Sequence, residues 1–162
     1  MPSKADVDAL LEKSLKAAGC KTVMRGIYDP EQQQTPPATG YPLASYFDEP
    51  KRYTNGATGG RIHDGTYGVM IWLTGNTKQK VSKGGRGLAE VDAFFDNLCD
   101  VIDIQILPPQ HGVMKLEPVD SVPYWWMEEI AIGGLIRIAY NYSRTPPATG
   151  ATQIGPMNIL ND

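Results

Sequence analysis

Two histidines, two cysteines and a run of four cations are the residues of this chain whose types could do chemistry. His63 and His111 sit in the Gly-flanked stretches His63-Asp64-Gly65 and Gln110-His111-Gly112. Neither has a second metal ligand three or four residues away, and no Cys or His cluster has zinc spacing. Both histidines therefore read as solvated loop residues. His63 and Asp64 imitate a catalytic pair in sequence only, because neighbours on an extended chain point to opposite sides. Cys20 follows a helix-ending glycine and Cys99 lies on a helical pattern, which predicts two separate thiols and no disulfide framework.

Lys83-Gly84-Gly85-Arg86-Gly87 precedes a helical stretch, and glycines at a helix start can turn amide donors toward a phosphate. The pattern is neither a P-loop nor a dinucleotide fingerprint. Lys78, Lys80, Lys83 and Arg86 nevertheless concentrate four positive charges, without an acid, in a chain of net charge −3. A solvated loop is the plain reading of that run. In a symmetric ring the same loop, repeated in every subunit and aimed inward, would form a positive constriction. The net charge argues against general nucleic-acid coating and leaves room for such local basic loops. Glu128 and Glu129 adjoin Trp125-Trp126, but nothing places the two carboxyls across one cleft as a glycosidase requires. No catalytic constellation or cofactor motif emerges. The expectation is a protein that is not an enzyme.

The elements that must position these residues are legible from periodicity. Ser3 can cap a helix, with Asp6 three residues on and Asp8 in the first turns. Val7, Leu10, Leu11, Leu15 and Ala18 form its apolar stripe, and Gly19 suits the position just past its end. A short strand is expected over Thr22–Tyr28 and another over Tyr41–Phe47, with Pro42 at its start. Thr66–Thr74 reads as a buried strand. Leu88, Val91, Phe95, Leu98 and Ile102 repeat at 3-4-3-4 spacing and predict a second helix facing a core. Asp92, Asp96, Asp100 and Asp103 share another face of it, either toward water or toward the basic loop of a neighbouring copy. Val113–Val119 and Tyr124–Arg144 read as successive antiparallel strands joined around Asp120-Ser121-Val122-Pro123.

Ile130–Arg144 is the strongest single signal. Ile130, Ile132, Ile136, Ile138, Tyr140 and Tyr142 alternate with Ala131, Gly133, Arg137, Ala139, Asn141 and Ser143, the period of a strand with one buried face. At about 3.3 Å per residue it would span roughly 50 Å, several times a usual strand. Either Gly133-Gly134 bends it, or part of it pairs with another copy. The fold class expected is α+β: a mostly antiparallel twisted sheet of about four to five strands with two helices on one face. Residues 1–144 would form one domain, with a long loop at 30–60 and the basic loop at 75–87. Residues 145–162 would be an extended C-terminal arm. Thr35-Pro36-Pro37-Ala38-Thr39-Gly40 recurs as Thr145-Pro146-Pro147-Ala148-Thr149-Gly150, which linker chemistry explains. No apolar run is long enough for a membrane helix, and the polar Met1-Pro2-Ser3-Lys4 start predicts no secretory signal.

Several stretches carry a resemblance. They are the N-terminal helix, Arg25-Gly26-Ile27-Tyr28-Asp29-Pro30, Tyr41-Pro42-Leu43-Ala44-Ser45-Tyr46-Phe47, Gly65-Thr66-Tyr67-Gly68-Val69-Met70-Ile71-Trp72, the Leu88–Ile102 helix and Gly134-Leu135-Ile136-Arg137-Ile138-Ala139-Tyr140. Their order and spacing, over roughly residues 4–144, resemble the tail terminator (tail completion or minor tail) family of long-tailed bacteriophages. The resemblance implies a virion protein, assembled in the host cytoplasm, that forms a ring, commonly hexameric, on the last ring of tail tube protein. That ring would stop tube polymerisation and present the docking surface for the head–tail connector, with DNA passing through it. Trp125, Trp126, Arg137, Tyr142, Pro146 and Pro147 are the candidate inter-subunit contacts, with no membrane partner and no cofactor. The alternatives are another phage ring subunit (head completion or tail tube), or a small ligand-binding domain or enzyme using His63, Asp64 and the Gly84–Gly87 loop.

Overall fold

The computed structural model describes residues 2–26, 40–55, 60–74, 86–104, 114–127 and 131–144. These form helix α1 (Lys4–Ala17), strands β1 (Thr22–Arg25), β2 (Leu43–Asp48), β3 (Arg52–Asn55) and β4 (Arg61–Thr74), helix α2 (Arg86–Ile104), and strands β5 (Met114–Met127) and β6 (Ala131–Arg144). The six strands make one sheet in the order β1-β2-β4-β6-β5, with β3 also paired to β4. Only β1–β2 is parallel. The expected α+β architecture is present, with one strand more than anticipated.

α1 begins as its sequence dictates. The Ser3 side chain accepts from the Asp6 amide while Asp6 accepts from the Ser3 amide, a reciprocal capping box. At the other end Gly19 has φ +112°, the Cys20 amide donates to Leu15 O and the Gly19 amide to Lys16 O. That is the Schellman pattern, in which glycine is preferred because φ is positive. Val7, Leu10, Leu11, Leu15 and Ala18 are all buried. On α2, Val91, Phe95, Leu98 and Ile102 are buried as expected, while the side chain of Leu88 lies outside the described residues. The two helices and one face of the sheet share a single apolar core. That face is lined by Ala44, Tyr46, Tyr67, Val69, Ile71, Ile136, Ile138, Tyr140 and Tyr142. The Asn97 amide ties the helices together by donating to Ala18 O at 3.1 Å. On the opposite face Leu43, Met70 and Trp72 are buried with Tyr41, and Phe47 and Leu135 pack beside them.

The overlong strand resolves in an unexpected way. β6 is internal: β4 pairs with it from Arg61↔Arg144 to Thr74↔Ile132, and β5 from Met114↔Tyr142 to Met127↔Ala131. All three strands have fourteen residues, so the chain satisfies the long ladder on both sides by itself. No second copy is needed for that purpose.

Three boundaries correct the sequence reading. β4 starts at Arg61, five residues before the expected Thr66, because β3 and β6 clamp Arg61–Asp64 between them. β3 falls inside the span 30–60 read as a loop; its polar Arg-Tyr-Thr-Asn sequence lacks a two-residue apolar alternation. β5 runs straight through Asp120–Pro123, where a turn was expected. Its register slips between Pro118 and Asp120 and again between Val122 and Trp125. Such irregularities absorb prolines, which have no ladder donor, on a strand at the sheet edge.

Close packing against two glycines is a sharp test of this sheet. A Cβ on Gly65 would overlap the Tyr140 ring and hydroxyl, and one on Gly133 would overlap the Ile71 carbonyl. Side chains can swing; a ladder carbonyl cannot. We expect Gly65→Ala to destabilise by about 1–3 kcal/mol and Gly133→Ala by more, read as midpoints of urea unfolding. Equal midpoints for Gly133→Ala and the parent would contradict this packing.

Candidate functional site

Side-chain alternation gives the sheet two chemically distinct faces. On the helix side, Lys4 and Asp8 of α1 meet Arg25 of β1, Asp48 of β2 and Tyr67 of β4. Arg25 Nη1 donates to Asp8 Oδ2 at 2.7 Å and Nη2 to Asp48 Oδ2 at 3.1 Å. Lys4 Nζ lies 2.9 Å from Asp48 Oδ1, pairs with Asp8 and donates to the Tyr67 hydroxyl at 2.8 Å. Tyr67 donates in turn to Asp8. Two cations and two carboxylates thus close a neutral network, and Asp8 is only 8% exposed. Burial works against the Asp8 carboxylate. The hydrogen bonds from Lys4 and Tyr67 and the charges of Lys4 and Arg25 outweigh it and hold its pKa below the ordinary carboxylate value. Lys4 also stands over the Tyr67 and Tyr140 rings, 4.3 and 4.9 Å from their centroids.

Further along the same face, Tyr53 of β3, His63 of β4 and Tyr142 of β6 form one cross-strand row. The His63 ring stacks on Tyr142 (centroids 4.5 Å apart, 12° between planes) and meets Tyr53 edge-on at 5.1 Å. Its Nδ1 is buried without a hydrogen-bond partner among the described residues. Burial, followed by the charges of Lys51, Arg61 and Arg144, pushes its pKa below the ordinary 6.5. His63 is therefore not the solvated loop residue that its Gly-flanked sequence suggests. Asp64 lies on the other face, so the two form no catalytic pair.

That other face carries an open groove of about 490 Å³. Arg52, Asp64, Asn141 and Lys115 line one row across four strands, and Thr66, Ala139 and Glu117 the next. Glu49 and Pro50 close one side. Lys115 and Glu117 pair at 3.1 Å. The charges alternate in sign and offer no single ligand class a preference.

The predicted site residues are scattered. Lys78, Lys80, Lys83, Pro146, Pro147 and His111 lie outside the described residues, as does all of the repeated segments except Gly40. Arg86 is the first residue of α2. Trp125 and Trp126 pair through their backbones with Gly133 and Ile132 inside the chain. Arg137 is bound to Asp120 of β5 through two hydrogen bonds, one of them Nε to Oδ1 at 2.7 Å. Tyr142 is 4% exposed, in the chain's own core, on the face opposite Arg137. Asp92, Asp96, Asp100 and Asp103 are all exposed, and none is ion-paired among the described residues. Cys20 and Cys99 are free; burial pushes the Cys20 thiol up to about 12, which keeps it protonated and unreactive. No group of three or more His, Cys, Asp or Glu able to hold a metal occurs among the described residues.

Of the network, only Lys4–Asp8 at i,i+4 was visible in sequence. The His63 row had a signal in the period-two series His63, Gly65, Tyr67, Val69, Ile71, which the glycine interrupts. No protein-family model matches the chain, and no curated protein matches it.

Two outcomes test these clusters. His63 binds its proton less readily when folded than when unfolded, so the unfolded chain protonates first as the pH falls through 6.5. Stability should decline as the pH falls through 6.5 and go on declining until it passes the lowered folded value, and His63→Phe should flatten that slope in urea titrations. Asp8→Asn should cost about 1.5–3 kcal/mol near neutral pH. Its deficit should shrink in acid, because the parent loses the same charge below the ordinary carboxylate range; a pH-independent deficit would exclude the charge as its cause.

Proposed function

We propose that this chain is a non-enzymatic structural subunit that closes into a ring at the end of a bacteriophage tail tube. There it stops tube polymerisation and offers the connector its docking surface. The observation that carries this reading is the exposed acidic face of α2. Its four aspartates are exposed and unpaired among the described residues, while Lys78, Lys80, Lys83 and Arg86 immediately precede or begin the same helix. A subunit whose sequence runs from a basic stretch into a helix with an exposed acidic face carries both signs, which suits head-to-tail association, and head-to-tail contacts close into rings when the rotation permits. Placement of both helices on one face leaves the other face of the sheet, with its groove and the Arg137–Asp120 pair, for stacking against a different ring. The order of elements that resembles the tail terminator family supports the same reading.

The mechanism is geometric. One ring surface complements the last tube ring, the other complements the connector, and a closed ring offers no further site for tube subunits. The purified protein is expected to sediment as a closed oligomer, or to form single rings when mixed with tube protein, in negative-stain images. Protein that stays monomeric at high concentration and forms no ring with tube protein would overturn the proposal. Replacing Lys78, Lys80, Lys83 and Arg86 with Gln should preserve folding and impair particle assembly. Normal particles with normal infectivity would remove the role of that loop.

A further inference from the structure

Arg61 and Arg144 stand directly opposite each other in the β4–β6 register. Cross-strand neighbours have Cβ atoms about 4.5–5.5 Å apart, and like charges there repel. No carboxylate among the described residues is ion-paired with Arg61, Arg144 or Lys51. No acidic residue occurs from Pro50 to His63 or from Ile130 to Asn161. Arg61 and Arg144 are exposed. Beside them Tyr53 presents 58% of its surface to solvent while its ring meets His63. Elsewhere on the sheet, Arg25 and Arg137 direct their guanidinium nitrogens onto carboxylates.

An arginine pair that no carboxylate among the described residues neutralises, in a net-acidic chain, offers a place for an anion. We propose that Arg61 and Arg144, with Lys51 and the exposed Tyr53 ring, bind the phosphodiester backbone of nucleic acid. A guanidinium fork matches two oxygens of a phosphate. Two such forks one strand apart can hold one phosphate between them and engage its neighbour, and Lys51, whose charge also reaches His63, extends the positive track past the His63 row. An exposed aromatic ring next to cations is what a base or sugar packs against along a strand. Backbone contacts carry no sequence information, so the site reads charge and spacing only. It is built within one subunit from β3, β4 and β6, separate from the basic stretch 78–86, and does not rest on the ring proposal.

His63 gives the site an internal reporter. Lys51, Arg61 and Arg144 all disfavour its protonation, and the rings that face it are those of Tyr53 and Tyr142. An anion neutralising those cations raises the His63 pKa, and by linkage binds more tightly as the pH falls.

The test uses the full chain with a fluorescent DNA strand of about 20 nucleotides and its duplex. Affinity is measured across about 50–200 mM salt for the parent and for Arg61→Gln/Arg144→Gln, which removes a repulsion and should leave thermal stability equal or higher. The double variant is expected to bind roughly tenfold more weakly, or worse, at the low-salt end. The slope of log K against log salt on the duplex should fall by about 2, at roughly 0.9 for each phosphate that the variant no longer neutralises. Unchanged affinity and slope, or no binding by the parent, would overturn the site. A second measurement needs no variant: the His63 ring-proton NMR titration should move to higher pH when the duplex is bound. No movement would overturn it. An equal movement with inorganic phosphate alone at matched occupancy would overturn the assignment to nucleic acid in favour of an isolated phosphate. Oligomeric state, read by sedimentation in the same samples, is independent of all these outcomes.

Discussion

A strand of fourteen residues must find partners for its backbone along both flanks, and β6 finds nearly all of them within its own chain. Everything else in the molecule follows from that requirement. β4 must be equally long to supply one flank, and β5 to supply the other. β4 then has its own outer flank to cover, which β2 and β3 share in succession, β3 opposite Arg61–Asp64 and β2 opposite Tyr67–Trp72. The short parallel strand β1 finishes that side. With the sheet so extended, two helices suffice to bury one face, and their apolar stripes fall on the Ile136–Tyr142 series.

Helix attachment combines apolar burial with a closed charge network. Lys4 and Asp8 come from the first turns of α1, and Arg25, Asp48 and Tyr67 from three strands. Removing any one of the four charged members leaves an unbalanced charge of the opposite sign in a half-buried setting, which costs more than the intact pair contributes. The network therefore fixes where α1 sits along the sheet more than it adds to overall stability. Apolar contacts from Val7, Leu11 and Leu15 alone would tolerate sliding by a turn.

Both helices, with the α1 caps, and β6 could be read from sequence because each is a local pattern: a capping box, a glycine at a helix end, a stripe at 3.6 residues, an alternation at two. What sequence concealed depends on partners distant along the chain. β3 has too little apolar character to announce itself and exists because β4 offers it a ladder. His63 looked solvated because Gly65 interrupts its strand pattern; that glycine is there because Tyr140 lies across it. Asp120-Ser121-Val122-Pro123 signalled a turn, yet β5 runs through it, with register slips at the sheet edge that accommodate Pro118 and Pro123. Net charge gave no hint that Arg61 and Arg144, from opposite halves of the chain, face each other. Of the candidate contact residues, Tyr142 followed the apolar alternation into the core, and Arg137 found Asp120 on the neighbouring strand.

The order of strands has a consequence for how the chain reaches this state. β1, β2, β3 and β4 are complete long before β6 exists, and β4 then presents a fourteen-residue flank lined with Val69, Ile71 and Tyr67. That flank stays open until β6 arrives, last among the described elements, to insert between β4 and β5. The central ladder is thus a late, long-range closure, and topologies of that kind fold slowly and pass through states with unpaired edges. β5 and β6, adjacent in sequence, can form a hairpin first and dock as a unit. The molecule then assembles from an amino-terminal half that waits and a carboxy-terminal hairpin that completes it.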